Sequence, residues 1–407
     1  MRTTQRKARR RLLAAAAIGG ALAGRLASAQ TRNQGPGVTD TEIRVGQTAP
    51  YSGPASAYGA IGKVIAGHFR KVNDEGGVNG RRLTLISLDD AFSPPKTVEQ
   101  IRRLVESENV LFVHTIGSPT SSAVHRYLNQ NRVPQLFVSS GATKWGDPKN
   151  FPWTMGFNPS YQTEGMVYAR WLMRERPGAR VGVLYQNDDF GKDLLTGFRM
   201  GLGERARTII VAEKSYELTD TGVDTQLISL QASGADVLLN LTTPKFAAMS
   251  IRKVAAMGWK PLHVLGNVSA SVGSVLKPAG LENAVGIVSS AYMKDPTDVA
   301  WANDPAMNEW RAFMRRYYPE GSLEDWVNVY AQAMAQAMVH TLRQAGNDLS
   351  RENVMRQAAS LRNVELPGLL PGIRINTGPD DHNPIEQLRL ARFDGRQWVL
   401  FGEVIGP

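Results

Sequence analysis

Short apolar runs alternate with longer amphipathic stretches along most of the chain. Ile43-Arg44-Val45-Gly46-Gln47 reads as a strand, and Gly59 to Asn73 then carries Ile61, Val64, Ile65, Phe69 and Val72 at helical spacing. The same alternation predicts helices over Pro94–Glu106 and Ser121–Asn131 and strands over Leu83–Leu88, Val110–His114 and Gln135–Val138. It resumes after Pro159. Helices over Tyr161–Arg174, Gly191–Gly203, Asp224–Ala232 and Pro244–Met257 alternate with strands over Arg180–Tyr185, Ile209–Ala212, Asp236–Leu241 and Leu262–Leu265. Strands separated by helices of about 10–15 residues build βαβ units and parallel sheets. Two such blocks, 42–157 and 160–288, predict two similar doubly wound α/β lobes. The last third departs from this pattern. It holds long helices over Pro305–Tyr318 and Asp325–Ala345 and a shorter one over Arg351–Leu361. Two strand-like runs, Gln387–Phe393 and Trp398–Val404, then flank Asp394-Gly395-Arg396, a hairpin signal.

Charge changes this picture only at the N-terminus. The 407 residues hold 47 Lys and Arg against 37 Asp and Glu, a formal charge of +10. Seven of the basic residues (Arg2, Arg6, Lys7, Arg9, Arg10, Arg11 and Arg25) fall within residues 1–29, which contain no acid, so the body carries only +3. A small-apolar run from Leu12 to Ala23 follows the basic stretch, and Ala27-Ser28-Ala29 gives an A-x-A cleavage pattern before Gln30. This is the layout of a secretory signal, and Arg9-Arg10-Arg11-Leu12-Leu13 resembles the twin-arginine motif. The apolar run is shorter than the ~20 residues that span a bilayer. We therefore expect a cleaved export signal over 1–29, a leader over 30–41, and a soluble periplasmic protein that does not span the membrane. The near-neutral body and the lack of interleaved aromatics beside Arg102, Arg103, Arg252 and Lys253 argue against a nucleic-acid partner.

Catalytic signatures are missing. There is no cysteine, which excludes disulfides, thiolate metal sites, a cysteine nucleophile and a lipid-modified cysteine. No G-x-S-x-G elbow, P-loop or G-x-G-x-x-G turn occurs. The six histidines, His68, His114, His125, His263, His340 and His382, never pair at metal-ligand spacing. We expect no metal, no cofactor and no enzyme. His114, ending a strand, reads as a hydrogen-bonded structural residue. Asp89-Asp90 and Asn187-Asp188-Asp189 read as loops that cap helices rather than as acid/base pairs.

What remains is a set of small, hydroxyl-rich loops just after the strands: 48–54, 116–120, 139–143, 186–191, 241–244 and 266–269. In open α/β sheets, ligands bind outside the carboxyl ends of the strands. Hydroxyls and free N–H groups at helix N-termini suit a small anion there. Tyr58, Phe190 and Trp326 are candidates for an apolar wall.

Several of these segments, in order, resemble the branched-chain amino-acid-binding proteins. They are Pro50-Tyr51-Ser52-Gly53-Pro54 with Tyr58-Gly59, Asn73-Asp74-Glu75-Gly76-Gly77-Val78-Asn79-Gly80-Arg81, Asp89-Asp90, Ser139-Ser140-Gly141-Ala142-Thr143 and Asp189-Phe190-Gly191. That family comprises periplasmic components of ABC importers with the type I binding-protein fold. The resemblance implies two lobes joined by a three-crossover hinge with a ligand cleft between them. Residues 42–158 and 289–378 would form the first lobe, and 159–288 and 379–407 the second. A monomer would close on its solute and deliver it to an ABC permease in the inner membrane. In the same terms, Ser118, Gly141, Ala142 and Thr143 would hold a ligand carboxylate, with Tyr58 and Phe190 as aromatic walls. Where the family usually carries an acid for the ligand ammonium, this chain has Asn267, and Thr242 stands where a tyrosine often assists. Neither residue is charged, so the implied ligand is a small carboxylate-bearing solute, a non-amino organic or aromatic acid rather than a plain α-amino acid. The alternative with the same fold is a sensor that presents its solute to a membrane receptor.

Overall fold

The computed structural model describes residues 33–406. The expected export signal over 1–29 lies outside the described residues. The first sheet contains β1 (Glu42–Ala49), β2 (Arg82–Asp89), β3 (Val113–His114), β4 (Gln135–Val138) and β5 (Thr154–Gly156), all parallel, in the order β2-β1-β3-β4-β5. The second contains β6 (Val181–Gln186), β7 (Ile210–Tyr216), β8 (Val237–Leu241), β9 (Leu262–Leu265) and β10 (Val288–Ala291), also parallel, in the order β7-β6-β8-β9-β10. It is extended by the antiparallel hairpin β11 (Leu388–Phe393) and β12 (Trp398–Ile405). The two parallel blocks therefore share one strand order, as the two matching stretches of alternation imply.

Helices cover the sheets for the reason their spacing gives. In α1 (Gly59–Asp74), Ile61, Val64, Ile65, Phe69 and Val72 are all buried. This face packs beneath α8 (Pro305–Tyr317) and α9 (Trp326–Ala345), so the last third of the chain completes the first lobe. The remaining helices that bear on the site are α2 (Pro94–Arg102), α3 (Ser118–Gln130), α4 (Tyr161–Glu175), α5 (Asp189–Leu202), α6 (Asp224–Ala232) and α7 (Pro244–Ala256). α10 (Arg351–Ala358) follows α9. The chain changes lobe three times: after β5, after β10 and before β11.

Several expectations shift. The strand expected over Val110–His114 keeps only Val113–His114. Arg351 explains why, because its guanidinium donates to the carbonyls of Leu111 (3.0 Å) and Val110 (2.6 Å), to which the N–H groups of a neighbouring strand would otherwise donate. The second sheet holds the chain through Ala291, so the return to the first lobe lies beyond the expected residue 289. The leader is tied down as well: Asn33–Gln34 pairs in parallel with Asp348–Leu349. β5 and β10, three and four residues long, are strands that the alternation does not announce. Among the described residues, no helix is long and apolar enough to cross a membrane.

Five histidines sit in the interior with their pKa values pushed down by burial: His68, His125 and His263 to about 4, His114 to about 3, and His382 lowered as well. Each folded pKa lies below the ~6.5 of a free imidazole, so the unfolded chain takes up protons first as pH falls. Their contribution to stability is complete above pH ~6.5 and is lost toward pH 4. Melting curves should show Tm dropping steeply over that interval. A Tm that is level from pH 7 to pH 4.5 would contradict this account.

Candidate ligand-binding site

A parallel doubly wound sheet opens a crevice where strand order reverses, and both sheets here reverse beside their first strand. The loops at those carboxyl ends meet around one cavity of about 510 Å³, its open mouth included. That upper limit admits a small organic molecule and excludes a polymer. The first lobe contributes Tyr58, Phe92, Ile116, Gly117, Ser118, Ser139 and Asn158. The second contributes Tyr161, Gln186, Phe190, Thr243 and Val268, and α9 contributes Trp326, Val327 and Tyr330.

Local geometry sets each wall. Gly117 has φ 92, and a Cβ there would lie 2.2 Å from the Phe92 ring, so glycine is required for the two segments to meet. Phe92 is held by the paired aspartates before it. The Asp90 carboxylate accepts from the Phe92 N–H (2.9 Å) and from Thr97 Oγ1 (3.0 Å), while Asp89 takes the Ala91 N–H (3.0 Å) and Ser52 Oγ (2.7 Å). These are the loop-organising roles that the sequence indicates. α3 begins at the cavity with Ser118, so the open amides and positive end of its dipole face the space. On the other side Asp188 caps α5, accepting from the Phe190 N–H at 3.0 Å. Phe190 then meets Tyr161 edge-on at 5.1 Å.

Polar groups on the walls are tied to one another. Tyr330 OH donates to Asn158 Oδ1 (2.7 Å) and lies 3.0 Å from Ser139 Oγ, and His114 Nε2 lies 3.0 Å behind Ser139. Gln186 Oε1 accepts from Tyr216 OH (2.8 Å) and Thr243 Oγ1 (3.0 Å). Burial keeps the His114 imidazole neutral and raises the Tyr161 and Tyr330 hydroxyls well above the usual phenol range. Among the described residues, the lining contains no Asp, Glu, Lys, Arg or His, and no group of three His, Cys, Asp or Glu is placed to hold a metal ion.

The lobes touch across the cleft. Tyr58 OH donates to the Val268 carbonyl (3.1 Å), and Ser271 Oγ donates to Asp325 (2.8 Å). At the rim Asp189 receives Lys144 Nζ (2.6 Å) and Ser122 Oγ (2.8 Å), and Lys277 pairs with Glu324. Burial alone would raise the Asp189 pKa, but the bonds from Lys144 and Ser122 outweigh it and hold the carboxyl below its ordinary value.

Four of the nine expected site residues line the cavity: Tyr58, Ser118, Phe190 and Trp326. Gly141, Ala142 and Thr143 do not. The Gly141 carbonyl accepts from the Tyr161 N–H (2.7 Å), and a Cβ on Gly141 would lie 2.3 Å from the Pro159 carbonyl and 2.8 Å from the Tyr161 ring. Tyr161 thus stands between this loop and the cavity. Ala142 is buried, with its N–H bonded to Ser140 Oγ (3.2 Å). Thr143 is exposed. Its hydroxyl meets Ser160 Oγ (3.2 Å) and its N–H meets Asp193 across the cleft (2.7 Å). Thr242 turns back onto its own strand, its hydroxyl donating to Asn240 Oδ1 (2.7 Å), and the next residue, Thr243, reaches the cavity instead. Asn267 lines a neighbouring cavity, with Trp326 as the shared wall. Its N–H donates to Glu164 (2.7 Å) and its side-chain amide to the Ser290 carbonyl. Sequence reasoning missed Glu164, a lone acid within a helix. It is fully enclosed, burial raises its pKa, and Tyr168 OH (2.7 Å) is a second donor to it.

Comparison with known proteins adds a context. A family model described as periplasmic binding protein matches residues 42–397. A Leu/Ile/Val-binding protein homolog 1 of Brucella abortus is 25% identical over 320 residues, covering 76% of this chain and 81% of that protein. The structure of a branched-chain amino-acid ABC transporter protein from Thermus thermophilus, with bound valine, superposes with a TM-score of 0.81 at 17% identity, covering 91% of this chain and 98% of its own. A fatty acid ABC transporter substrate-binding protein from Thermomonospora curvata superposes at 0.76 with 22% identity, covering 92% and 95%.

The rim contacts are half-exposed, and such ion pairs contribute up to about 1 kcal/mol. Lys144→Met should weaken solute binding by no more than about fivefold. Thr143→Ala, which removes only a hydroxyl turned toward Ser160, should leave affinity within about twofold by calorimetry. A tenfold loss for Thr143→Ala would put that residue back on the ligand.

Proposed function

The chain belongs to the periplasmic binding protein family, and we propose that it is the solute receptor of an ABC importer. Its ligand in this reading is a small carboxylic acid without an α-ammonium group, aromatic acids foremost. The observation that carries the reading is the composition of the cavity wall. Rings of Tyr58, Phe92, Tyr161, Phe190, Trp326 and Tyr330 surround the space, the N-terminus of α3 opens into it, and no carboxylate faces it. An ammonium closed into such a site would lose its water with no charge to replace it, which is costly. A carboxylate meets helix-terminal amides and hydroxyls, groups that bind anions without a cationic side chain. The fold accommodates either choice. The neighbours just described are named for valine and for a fatty acid, both carboxylates, of which only valine has an ammonium.

Ser118 is the first-lobe anchor in this reading, and Tyr58, Phe190 and Trp326, which line the cavity, are its apolar walls. A solute touching both lobes favours the closed arrangement over the open one, and a permease that reads closure would receive only loaded protein. The expected signal over 1–29 would place the mature protein in the periplasm.

Thermal-shift screening of ligand-free protein against aromatic acids, aliphatic acids and amino acids tests the assignment. A ligand at a hundred times its Kd adds about 2.7 kcal/mol to stability. Organic acids should raise Tm, and leucine, isoleucine and valine should not. A larger shift from those amino acids than from any non-amino acid would overturn the ligand class. No shift from any member, with the protein shown folded and empty, would overturn the receptor reading.

A further inference from the structure

We propose that Ser140 and Trp145, neither of them on the cavity wall, fix Ser118 as a hydrogen-bond donor to the bound ligand. The inference deepens the acid-receptor reading and rests on it. A serine hydroxyl has one proton and two lone pairs, so its polarity toward a ligand is ordinarily open. Here it is not. Ser140 Oγ accepts from the Trp145 indole N–H (2.9 Å) and from the Ala142 backbone N–H (3.2 Å). Neither nitrogen can act as an acceptor, so both lone pairs of Ser140 are taken. Ser118 Oγ lies 2.7 Å away. A bond at that distance requires Ser140 to donate and Ser118 to accept.

Ser118 therefore keeps its own proton, has no other side-chain hydrogen bond among the described residues, and stands on the cavity wall. Its proton is available only to the cavity's occupant. The Tyr161 hydroxyl also lies toward Ser140, but with both lone pairs of Ser140 filled, Ser118 still cannot donate back to it. The arrangement is rigid. Trp145 is buried and packs edge-on against His125 at 5.0 Å between ring centres. The Ser-Ser-Gly-Ala-Thr loop thus acts on the ligand at second hand. It does not reach the cavity through Gly141, Ala142 or Thr143, but its amide at 142 helps set the direction of a neighbouring hydroxyl. Ser140 and Trp145 are positioning residues, and the site they shape accepts oxygen lone pairs and disfavours N–H groups at that point.

Two measurements test this. Neutron diffraction from deuterium-exchanged crystals reads the protons directly. Density on Ser140 Oγ directed at Ser118, with the Ser118 deuteron turned into the cavity, is the expected result. Density on Ser118 directed at Ser140 overturns the proposal. The second uses Trp145→Phe, which keeps a ring and removes the N–H, with benzoate and benzamide as probes by calorimetry. One Ser140 lone pair is then free to take the Ser118 proton, so the ratio of benzoate to benzamide affinity should fall about tenfold, the scale of one hydrogen bond to a charged group. An unchanged ratio in a variant with near-native Tm overturns the proposal. If benzoate does not bind the unmutated protein, the aromatic-acid reading loses its support, and the neutron map still decides the direction of the Ser118–Ser140 bond.

Discussion

A parallel sheet has a direction, and that constraint organises everything else in this protein. Every strand of β1–β5 delivers its carboxyl end to one edge, and every strand of β6–β10 does the same in the second lobe. The helices that follow begin at those edges, with unpaired amides and the positive ends of their dipoles. Placing two such edges face to face creates a cleft whose walls are loop backbone, hydroxyls and helix N-termini before any particular side chain is chosen. A polar pocket that lacks charged side chains yet suits an anion follows from the topology itself. The aromatic rings then decide how much of the remaining space is apolar.

Closure rests on a few contacts by comparison. The ion pairs across the rim are between half-exposed side chains and are worth little where water competes. Deeper in, two hydroxyl bonds cross among the described residues, Tyr58 to the Val268 carbonyl and Ser271 to Asp325. A hinge held this lightly can be biased by a solute that fills the space between the lobes, whereas a strong latch would close the protein empty. The neutral body helps too, since the lobes carry no large charge imbalance to drive them apart or together.

The regular elements were legible because they obey periodicity. The burial of α1 follows its 3.6-residue pattern residue by residue, and the helices over 305–345 were visible as the part of the chain that breaks the βαβ rhythm. The site was legible only in part. Tyr58, Ser118, Phe190 and Trp326, expected on the ligand, do stand on the cavity wall. Sequence does not show which of two adjacent threonines turns back onto its strand, and only the fold places Thr243 rather than Thr242 on the cavity. The loop at 141–143 was misplaced because its exclusion from the cavity depends on Tyr161, which begins a helix of the other lobe. Glu164 was invisible since an acid inside a helix normally faces water, and only the tertiary fold encloses it with Tyr168 and the Asn267 amide.

The first lobe is finished by the last third of the chain, and this bears on how the protein is made. α1 packs under α8 and α9, Asn79 donates to the Gly346 carbonyl across 267 positions, and Arg351 holds the backbone of Val110 and Leu111. No ribosome-bound fragment that stops short of these residues can bury the outer face of α1. Contacts this far apart in sequence are slow to form. The growing chain therefore exposes apolar surface until synthesis is nearly complete, which leaves a long interval in which a chaperone can claim it before it folds.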